Sequence, residues 1–319
     1  MTGATVAVTG ATGFVGRRLV PVLAAAGWRV KVLVRRRCDP RFWGETAVEP
    51  IVGDLGDAPS LSNLVAGTDL VIHAAGAIKA RDRQAFFAVN AEGARAVAEA
   101  AGGRRMILLS SQVAREPGLS DYAASKRAGE DLVRMVMAEG LTILRPPAVY
   151  GPGDQETLAL FRLAQTLSLL PLPGGPMARV ALAHVDDVAA EIRYLCEVNP
   201  GPGPYVVAGH RPEGYDWRHI MMAAGVAVGR KPVLIPTPPG LLRALGGLTH
   251  AVARLTGRPA IFTAGKAAEF LHADWSVANH ERTPGAPEAR FTLEQGFADT
   301  VAWYRRNRWL AEAGRSAPG

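Results

Sequence analysis

A glycine-rich turn close to the beginning of the chain limits the fold more than any other feature. An apolar run, residues 5–8, comes directly before the turn, and apolar residues at helical spacing follow it. Gly10 lets the chain turn, Gly13 lets the backbone approach a phosphate, and Gly16 lets the helix pack closely on the strand. The pattern predicts a strand–turn–helix unit whose helix N-terminus holds the pyrophosphate of a dinucleotide. The predicted contacts in the turn are Gly10, Thr12, Gly13, Phe14, Val15 and Gly16.

Short apolar runs alternate with alanine- and leucine-rich helical stretches through the first half of the chain. This alternation predicts an α/β fold, a doubly wound parallel (Rossmann) sheet with a smaller C-terminal substrate lobe. After residue 147, proline and glycine become frequent, which is typical of a more irregular lobe. We predict an NAD(P)-binding Rossmann domain over residues 1–170 and a mainly substrate-binding lobe over residues 171–319, with some segments returning to the sheet. The predicted strands are residues 5–8, 30–34, 48–52, 70–72, 106–109 and 141–144.

Composition argues against several kinds of partner. The net charge is +7, but the chain has no basic stripe interleaved with aromatic residues, so we expect no nucleic-acid partner. No run approaches the roughly 20 uncharged apolar residues of a membrane span, so we expect no integral membrane segment. The first strand begins too early for a signal peptide, and Cys38 and Cys196 lie far apart without metal-ligand spacing. These features predict a cytoplasmic protein without a metal site.

Tyr122 and Lys126 are the strongest candidates for chemistry. Their spacing of four residues puts both side chains on one face of a helix. A lysine ammonium stabilises a phenolate, so Lys126 and a positively charged nicotinamide are together expected to lower the pKa of Tyr122 from about 10 towards 7. Ser110 and Ser111 follow the fifth predicted strand, and a serine hydroxyl at its carboxyl end can hydrogen-bond a reacting oxygen. Either serine, or Gln112 after them, is a candidate to face the substrate.

With further motifs, these residues resemble the short-chain dehydrogenases/reductases, in the extended or atypical branch that includes the NAD-dependent epimerase/dehydratase family. The resemblance covers most of the chain. It implies that Tyr122 is the general acid/base, that Lys126 lowers its pKa and holds the ribose, and that Asn90 positions a water for proton relay. The catalytic serine of the family corresponds to Ser111, whose spacing to Tyr122 is nearest to the family's shorter version.

The same resemblance assigns further residues to the cofactor. Asp54 matches an acid that contacts the adenine, and residues 73–76 match a turn that packs along the cofactor. His73 is interpreted as a structural residue or a cofactor contact rather than a general base. The backbone after Pro146 is expected near the nicotinamide amide. The cofactor contacts implied in this way are Asp54, Leu55, His73, Ala74, Ala75, Gly76, Tyr122, Lys126 and Pro146.

The end of the second predicted strand bears on the choice of cofactor. A carboxylate about 20 residues after the glycines would bond the ribose 2′-hydroxyl of NAD, but Arg35, Arg36 and Arg37 follow the strand here. A guanidinium can pair with a 2′-phosphate in a bidentate way. We therefore predict NADP(H), with Arg35 as the leading contact, Arg36 as the second and Arg17 assisting. NAD(H), with Asp39 as its ribose contact, is the alternative.

These features predict an NADP-dependent oxidoreductase that interconverts a secondary alcohol and a ketone by hydride transfer. The alternatives are a nucleotide-sugar epimerase or dehydratase with tightly bound NAD, and a non-catalytic dinucleotide-binding protein. The segment between Ser111 and Tyr122 is short, whereas sugar-nucleotide epimerases have a longer insert there, which weakens the epimerase alternative. Retention of both Tyr122 and Lys126 favours an enzyme.

The second half of the chain suggests the kind of substrate. We interpret it as having many aliphatic residues and few aromatic ones, which favours an apolar small molecule over a sugar as the substrate. A helix over residues 241–255 is interpreted as core-facing, as a lid over an apolar substrate, or as a membrane-surface helix. The family resemblance also implies a homodimer. The apolar positions of that helix are Leu241, Leu242, Leu245, Leu248, Val252 and Leu255.

Overall fold

The computed structural model describes residues 3–37, 39–44, 46–173, 177–256 and 262–312, and the side chains of residues 40, 41 and 250–256 are outside the description. Cys38 also lies outside the described residues, whereas Cys196 is a buried thiol. The strands are β1 (Thr5–Thr9), β2 (Arg29–Val34), β3 (Val48–Val52), β4 (Leu70–His73), β5 (Arg105–Leu109), β6 (Leu141–Arg145), β7 (Ala148–Tyr150), β8 (Leu169–Leu172), β9 (Arg179–Val180), β10 (Leu182–His184), β11 (Tyr205–Val206), β12 (Val233–Pro236) and β13 (Asp274–Trp275).

The α-helices lie between and after these strands. A π-helical turn, Ala88–Glu92, joins two of them into one continuous helical segment. The helices are α1 (Phe14–Ala25), α2 (Ala58–Val65), α3 (Arg83–Phe87), α4 (Gly93–Ala101), α5 (Asp121–Val136), α6 (Leu158–Thr166), α7 (Val185–Glu197), α8 (Trp217–Ala227), α9 (Pro239–Thr256), α10 (Ala264–Leu271) and α11 (Leu293–Arg306).

The central sheet is parallel and has the strand order β3-β2-β1-β4-β5-β6-β11. The order reverses direction between β1 and β4, and open α/β sheets bind ligands in the crevice at such a point, beyond the carboxyl ends of the strands. Strands β1 and β4 are buried along their whole length. Burial on both faces explains why they are continuous apolar runs rather than alternating ones. The predicted doubly wound fold is confirmed.

Helices cover both faces of this sheet. On one face, Leu23 of α1 and Ile192 of α7 share a core with Val8 of β1. On the other face, Val133 of α5 shares a core with Ala7, the neighbour of Val8 in the same strand. Adjacent side chains of a strand point to opposite faces, so β1 holds both layers together. Helix α7 and strand β11 come from the second half of the chain, so that half contributes to the sheet and to one of its helical layers.

A second core lies outside the sheet and is aromatic. Tyr150 and Phe161 each contact the ring of Phe297 edge-on at 5.0 Å between centroids, and Phe161 also contacts Tyr304. Tyr150 and Phe161 precede residue 170, so this core takes residues from both sides of the predicted domain boundary, which stays a prediction. More than half of the aromatic residues of the chain follow residue 170. The expectation of few aromatic residues there is therefore wrong.

Helix α9 does not bury all its leucines as the core-facing interpretation predicts. Leu241, Leu245 and Leu248 are exposed, and Leu242 is half-buried. For the three exposed leucines the core-facing interpretation is wrong. The side chains of Val252 and Leu255 lie outside the described part of the chain. Within that part, no helix is long and apolar enough to cross a membrane.

Candidate active site

The predicted site residues come from segments far apart in sequence but lie along one edge of the sheet. Six of these segments each begin after the carboxyl end of a different parallel strand, and the carboxyl ends of parallel strands meet at one edge. The strands that supply them are adjacent, from β3 through β6. The residues that follow these ends, in chain order, are Gly10, Arg35, Asp54, Ala74, Ser111 and Pro146.

The glycine turn after β1 has the geometry of a phosphate cradle. Gly10 has φ +73°, and a Cβ on it would lie 2.5 Å from the backbone of Ala74. A Cβ on Gly16 would lie 2.2 Å from the Gly10 carbonyl oxygen, so only glycine lets α1 pack on the turn. Gly13 caps α1 in an extended conformation without a side-chain hydrogen bond, and the first turn of α1 has no acidic residue. The N–H groups of that turn are therefore suited to a dinucleotide pyrophosphate, and the residues present fit this group.

Arginines and two aromatic residues surround this turn. Arg35 and Arg36 are exposed directly after β2, and Arg17 of α1 lies over the ring of Phe42, 4.5 Å from its centroid. The indole N–H of Trp43 donates to the Ala11 carbonyl oxygen at 3.0 Å, which fixes the segment after the arginines against the glycine turn. These aromatic residues were not singled out in the sequence. Their only signal was their position shortly after the arginine run.

His73 forms the floor of the crevice. Its Nδ1 lies 2.8 Å from the Thr9 hydroxyl, and the same hydroxyl accepts from the backbone N–H of Ala75 at 3.3 Å. Burial, with the nearby charge of Lys126, lowers the pKa of His73 to about 3. The ring is therefore neutral at physiological pH and is held by a structural bond. The interpretation of His73 as something other than a general base agrees with this geometry.

Asp54 and Leu55 lie at the far end of the same edge. Asp54 is exposed, and its carboxylate accepts from the backbone N–H of Gly56 at 2.8 Å. Leu55 packs against α4 at Gly93, where a Cβ would lie 2.8 Å from the leucine Cδ1. The leucine thus positions the loop, and the aspartate is open to a ligand. The adenine contact assigned to Asp54 stays a prediction.

Asn90 lies in the π-helical turn and holds two segments together. Its Nδ2 donates to the Ala77 carbonyl oxygen and to the Ser125 hydroxyl, each at 2.9 Å, and its Oδ1 accepts from the Ala77 N–H at 2.8 Å. The loop after β4 is therefore tied to α5. Both amide hydrogens are used in these bonds, so the side chain serves as a clamp. A water held by Asn90 stays a prediction and would need the second lone pair of Oδ1 or the backbone carbonyl.

Lys126 is buried between α5 and the end of β5. Its Nζ donates to the Leu109 carbonyl oxygen at 2.8 Å. Burial lowers the pKa of Lys126 to about 8, and the charge of Glu130 opposes that shift. Glu130 is itself fully buried and receives two bonds from the Arg145 guanidinium, at 2.8 and 2.6 Å. This charge network was missed in the sequence because Arg145 and Glu130 meet only in the fold.

Tyr122 stands one helical turn before Lys126, at the beginning of α5. Burial raises the pKa of Tyr122 to about 12, and a hydrogen bond from the Ser111 side chain opposes the rise. The negative charges of Glu269 and Glu156 raise it further. The expectation that Lys126 brings this pKa down towards 7 is therefore not met in the protein alone. The phenol is protonated at neutral pH and can donate its proton.

The structure separates Ser111 from its two neighbours. The Ser110 hydroxyl donates to Glu130 at 2.5 Å, within the buried charge network. The Gln112 side chain donates to the Trp275 carbonyl oxygen at 2.8 Å, and its backbone N–H donates to the Pro146 carbonyl oxygen at 2.8 Å. Both neighbours are thus committed to other segments. Ser111 is the one of the three that reaches Tyr122, which the sequence alone left open.

Two further contacts complete the edge. Lys79, in the loop after β4, pairs with Glu156 before α6 at 2.6 Å, so the two sides of the crevice are bridged. Ser120 caps α5 by accepting from the Ala123 N–H and donates its hydroxyl proton to Glu269 of α10. A protonated phenol at a dinucleotide-binding edge can supply the proton that a carbonyl oxygen gains when a nicotinamide transfers hydride to its carbon. The fold and the site place the protein in the class of nicotinamide-dependent oxidoreductases.

Comparison with known proteins narrows this class. The NAD dependent epimerase/dehydratase family matches residues 6–208. The ceramide reductase of Caulobacter vibrioides is 49% identical over 308 residues, which cover 96% of each chain. A putative dihydroflavonol 4-reductase of Synechocystis is 26% identical over 340 aligned residues, covering 95% of each chain. The crystal structure of DesIV, a dTDP-glucose 4,6-dehydratase from Streptomyces venezuelae, matches with a TM-score of 0.71 at 20% identity, covering 95% of this chain and 98% of that one.

The chain belongs to the NAD-dependent epimerase/dehydratase family of extended short-chain dehydrogenases/reductases. Within that family it is an NAD(P)-dependent oxidoreductase. The resemblance stated from the sequence is confirmed. At 20% identity, the similarity to the dehydratase structure concerns the fold alone.

Proposed function

We propose that this enzyme is an NADP(H)-dependent reductase that converts a ketone into a secondary alcohol on a lipid of the ceramide class. The observation that carries the proposal is Tyr122, whose raised pKa keeps the phenol protonated and which lies within reach of Ser111, the residue that follows β5. A reductase needs an acid at this position, because the carbonyl oxygen gains a proton as its carbon gains a hydride. The raised pKa of Tyr122 suits that direction of reaction.

Each side chain then has a defined task. Ser111 and Tyr122 hydrogen-bond the ketone oxygen, and Tyr122 donates the proton. Lys126, held by the Leu109 carbonyl oxygen, places its positive charge below the site and stabilises the phenolate left behind. The bound nicotinamide supplies the hydride. The carbon skeleton of the substrate lies between the loop after β4 and the second lobe, on the two sides that Lys79 and Glu156 bridge.

The NADP(H) preference rests on the arginines after β2. Arg35 and Arg36 are exposed at the sheet edge where the adenosine ribose of a dinucleotide is held in this fold. Arg17 is held over Phe42 near the same turn. Guanidinium groups favour a 2′-phosphate by charge and by bidentate hydrogen bonding. Asp39, the candidate contact for NAD(H), is exposed in the same loop and makes NAD(H) the alternative outcome.

The substrate class rests on the ceramide reductase, which is 49% identical along almost the full length of both chains. Hydride transfer from nicotinamide reduces ketones and not amides, so the reducible group on a ceramide-type lipid would be a ketone on its sphingoid chain. The relatives also include a ketoreductase whose named substrate has a farnesyl group. One relative is named for a lipid and the other for a compound with a farnesyl chain. Both named substrates have long apolar chains, which supports an apolar ligand for this enzyme.

An assay of NADPH oxidation with a short-chain 3-oxo-ceramide tests the proposal. We expect turnover with NADPH and much less with NADH. In Arg35→Ala, NADPH should bind about 10- to 100-fold more weakly, since hydrogen bonds to charged groups contribute about 1.5–3 kcal/mol, and NADH binding should hardly change. Interconversion of a sugar nucleotide without net NADPH consumption would instead establish the epimerase or dehydratase alternative.

Tyr122→Phe is the matched active-site variant. It removes one hydroxyl and keeps the ring against Phe86, whose centroid lies 6.0 Å away. We expect turnover to fall by about 10²- to 10⁴-fold, the usual contribution of a general acid, with NADPH affinity retained. Full activity in this variant would contradict the role given to Tyr122.

A further inference from the structure

The net positive charge of the chain comes from one stretch, residues 217–268. This stretch contains seven lysines and arginines and no aspartate or glutamate. It therefore accounts for the whole net charge of +7, and the rest of the chain is balanced. Such a segment favours an anionic partner. Its basic residues are Arg218, Arg230, Lys231, Arg243, Arg254, Arg258 and Lys266.

The same stretch supplies one strand of a two-stranded ribbon that is apolar on both faces. Strand β12 pairs with β8 in parallel, and Val233 is the partner of Leu169. Leu170 points into the second core and is fully buried. On the other face, Leu169, Val233 and Ile235 are 53%, 61% and 46% exposed. The water-facing side of a half-buried sheet is normally polar, so this exposed apolar face indicates a partner.

Helix α9 follows this ribbon and repeats the pattern. Leu241, Leu245 and Leu248 have a spacing that places them on one face of the helix, and they are 52%, 45% and 63% exposed. The helix packs on the protein through a different face. Gly246 is buried there, and a Cβ on it would lie 2.8 Å from the carbonyl oxygen of Thr263, the residue that caps α10. The leucine face is thus left open while the helix is anchored.

Helix α10 connects this surface to helix α5, which carries Tyr122. A Cβ on Gly265 of α10 would lie 2.7 Å from the Cβ of Ser120, which caps the N-terminus of α5. Glu269 of α10 accepts the proton of the same serine hydroxyl. Helices α9 and α10 pack on each other. Whatever binds α9 therefore lies one helix away from the end of α5 that carries Tyr122.

We propose that Leu169, Val233, Ile235, Leu241, Leu245 and Leu248, here called the docking surface, bind the surface of an anionic lipid bilayer. Exposed aliphatic residues would enter the boundary of the acyl chains, while exposed basic residues of the same stretch, Arg230, Lys231 and Arg243, attract anionic headgroups. A second copy of the chain fits less well, because a twofold contact would bring two acid-free basic segments together without a partner charge. The proposal rests on this surface alone and does not depend on the proposed reaction.

Co-sedimentation of the full chain with vesicles tests the proposal. We expect binding to vesicles of phosphatidylcholine with phosphatidylglycerol, weak binding to pure phosphatidylcholine, and loss of binding as salt rises. The double variant Leu245→Glu/Leu248→Glu should lower the partition coefficient at least about tenfold, since it puts charge on the apolar face. Met135→Glu is the control, because Met135 is 82% exposed on α5, away from the docking surface.

Two charge-reversal variants measure how much the basic residues contribute to vesicle binding. Lys231 lies two residues before β12 and is exposed like Val233, whereas Pro232 between them is buried. Lys231→Glu should weaken binding more than tenfold, because each basic residue near an anionic surface contributes about 1 kcal/mol and the reversal counts twice. Arg29→Glu, an exposed charge reversal at the start of β2 in the central sheet, should have a clearly smaller effect.

The test of the docking surface uses vesicle binding, which is measured independently of enzyme activity. Leu248→Trp provides a second signal, because its fluorescence should shift to the blue when vesicles are added. Reduction of a short-chain soluble ketone should be unchanged in every docking variant, so failure of the proposed reaction is recognised separately. The proposal is overturned if the native chain ignores anionic vesicles, if both controls weaken binding as much as the variants, or if the leucine variant only converts a dimer into monomers.

Discussion

Helices α5 and α9 depart from the usual pattern of a surface helix in opposite directions. Helix α5 buries two charged residues, Lys126 and Glu130, on the face that packs against the sheet. Helix α9 leaves Leu241, Leu245 and Leu248 exposed, and its sequence has no acidic residue. A surface helix of a globular protein normally turns its apolar stripe inward and its charges outward.

The difference shows where each helix obtains its stabilisation. Buried charges are tolerated in α5 because each has a partner within the protein, Leu109 for Lys126 and Arg145 for Glu130. Leu241, Leu245 and Leu248 of α9 are exposed, with no such partner among the described residues. Helix α5 is completed by the fold, and for α9 we propose an external partner. The three predictions that follow test each side of this contrast.

The largest effect is expected at Glu130. Glu130→Ala leaves the Arg145 guanidinium buried without its partner and should lower the free energy of unfolding by about 3–5 kcal/mol. Asp131→Ala, its neighbour on α5, removes two ion pairs at the helix surface, with Arg127 and Arg134, and should cost at most about 1 kcal/mol. Urea denaturation measures both changes, provided that the free energy of unfolding depends on urea concentration with the same slope in both variants. Equal losses in the two variants would show that the buried pair is not what holds α5 on the sheet.

An intermediate effect is expected from the titration of Lys126. Burial lowers its pKa to about 8 from an ordinary value of 10.5, so the ammonium is present below pH 8 and is lost above it. Ketone reduction, measured as kcat/KM, should therefore fall as the pH rises through about 8. Tyr122, with a pKa of about 12, stays protonated throughout this range.

The same shift has the opposite consequence for stability. Folding disfavours the charged lysine below pH 8, so the contribution of Lys126 to stability should improve between about pH 8 and 10.5, where the unfolded chain still binds the proton. Lys126→Arg keeps its charge over this range. Its residual activity should lack the decline near pH 8, and a decline that persists in Lys126→Arg would assign that titration to another group.

The smallest effect is expected on α9 in the absence of membranes. Leu248→Ala should change the free energy of unfolding by less than about 0.5 kcal/mol, because the side chain is 63% exposed and both residues favour helix. Leu64→Ala, at a fully buried position of α2, should cost about 2–5 kcal/mol. A comparable loss at Leu248 would mean that α9 is held by its leucines, which would remove the contrast with α5.

The sequence determined those parts of the protein whose physical cause is local. The glycine turn requires a positive φ at Gly10 and close packing at Gly16, and both needs can be recognised in the order of residues. Continuous apolar runs predict parallel strands because such strands are buried on both faces. The spacing of Tyr122 and Lys126 predicts one helix face, since α5 repeats every 3.6 residues. Fold class and family followed from these local patterns, and both are confirmed.

Only the tertiary structure decided which side chains meet. Ser110 and Ser111 are adjacent in sequence, but successive side chains of an extended segment diverge, so one joins the Glu130 network and the other reaches Tyr122. The pKa of Tyr122 likewise depends on how deeply the fold buries it, which outweighs its spacing to a lysine. The leucines of α9 have the periodicity of a core helix, and periodicity gives the same signal whether the stripe is covered by the protein or left open to a partner.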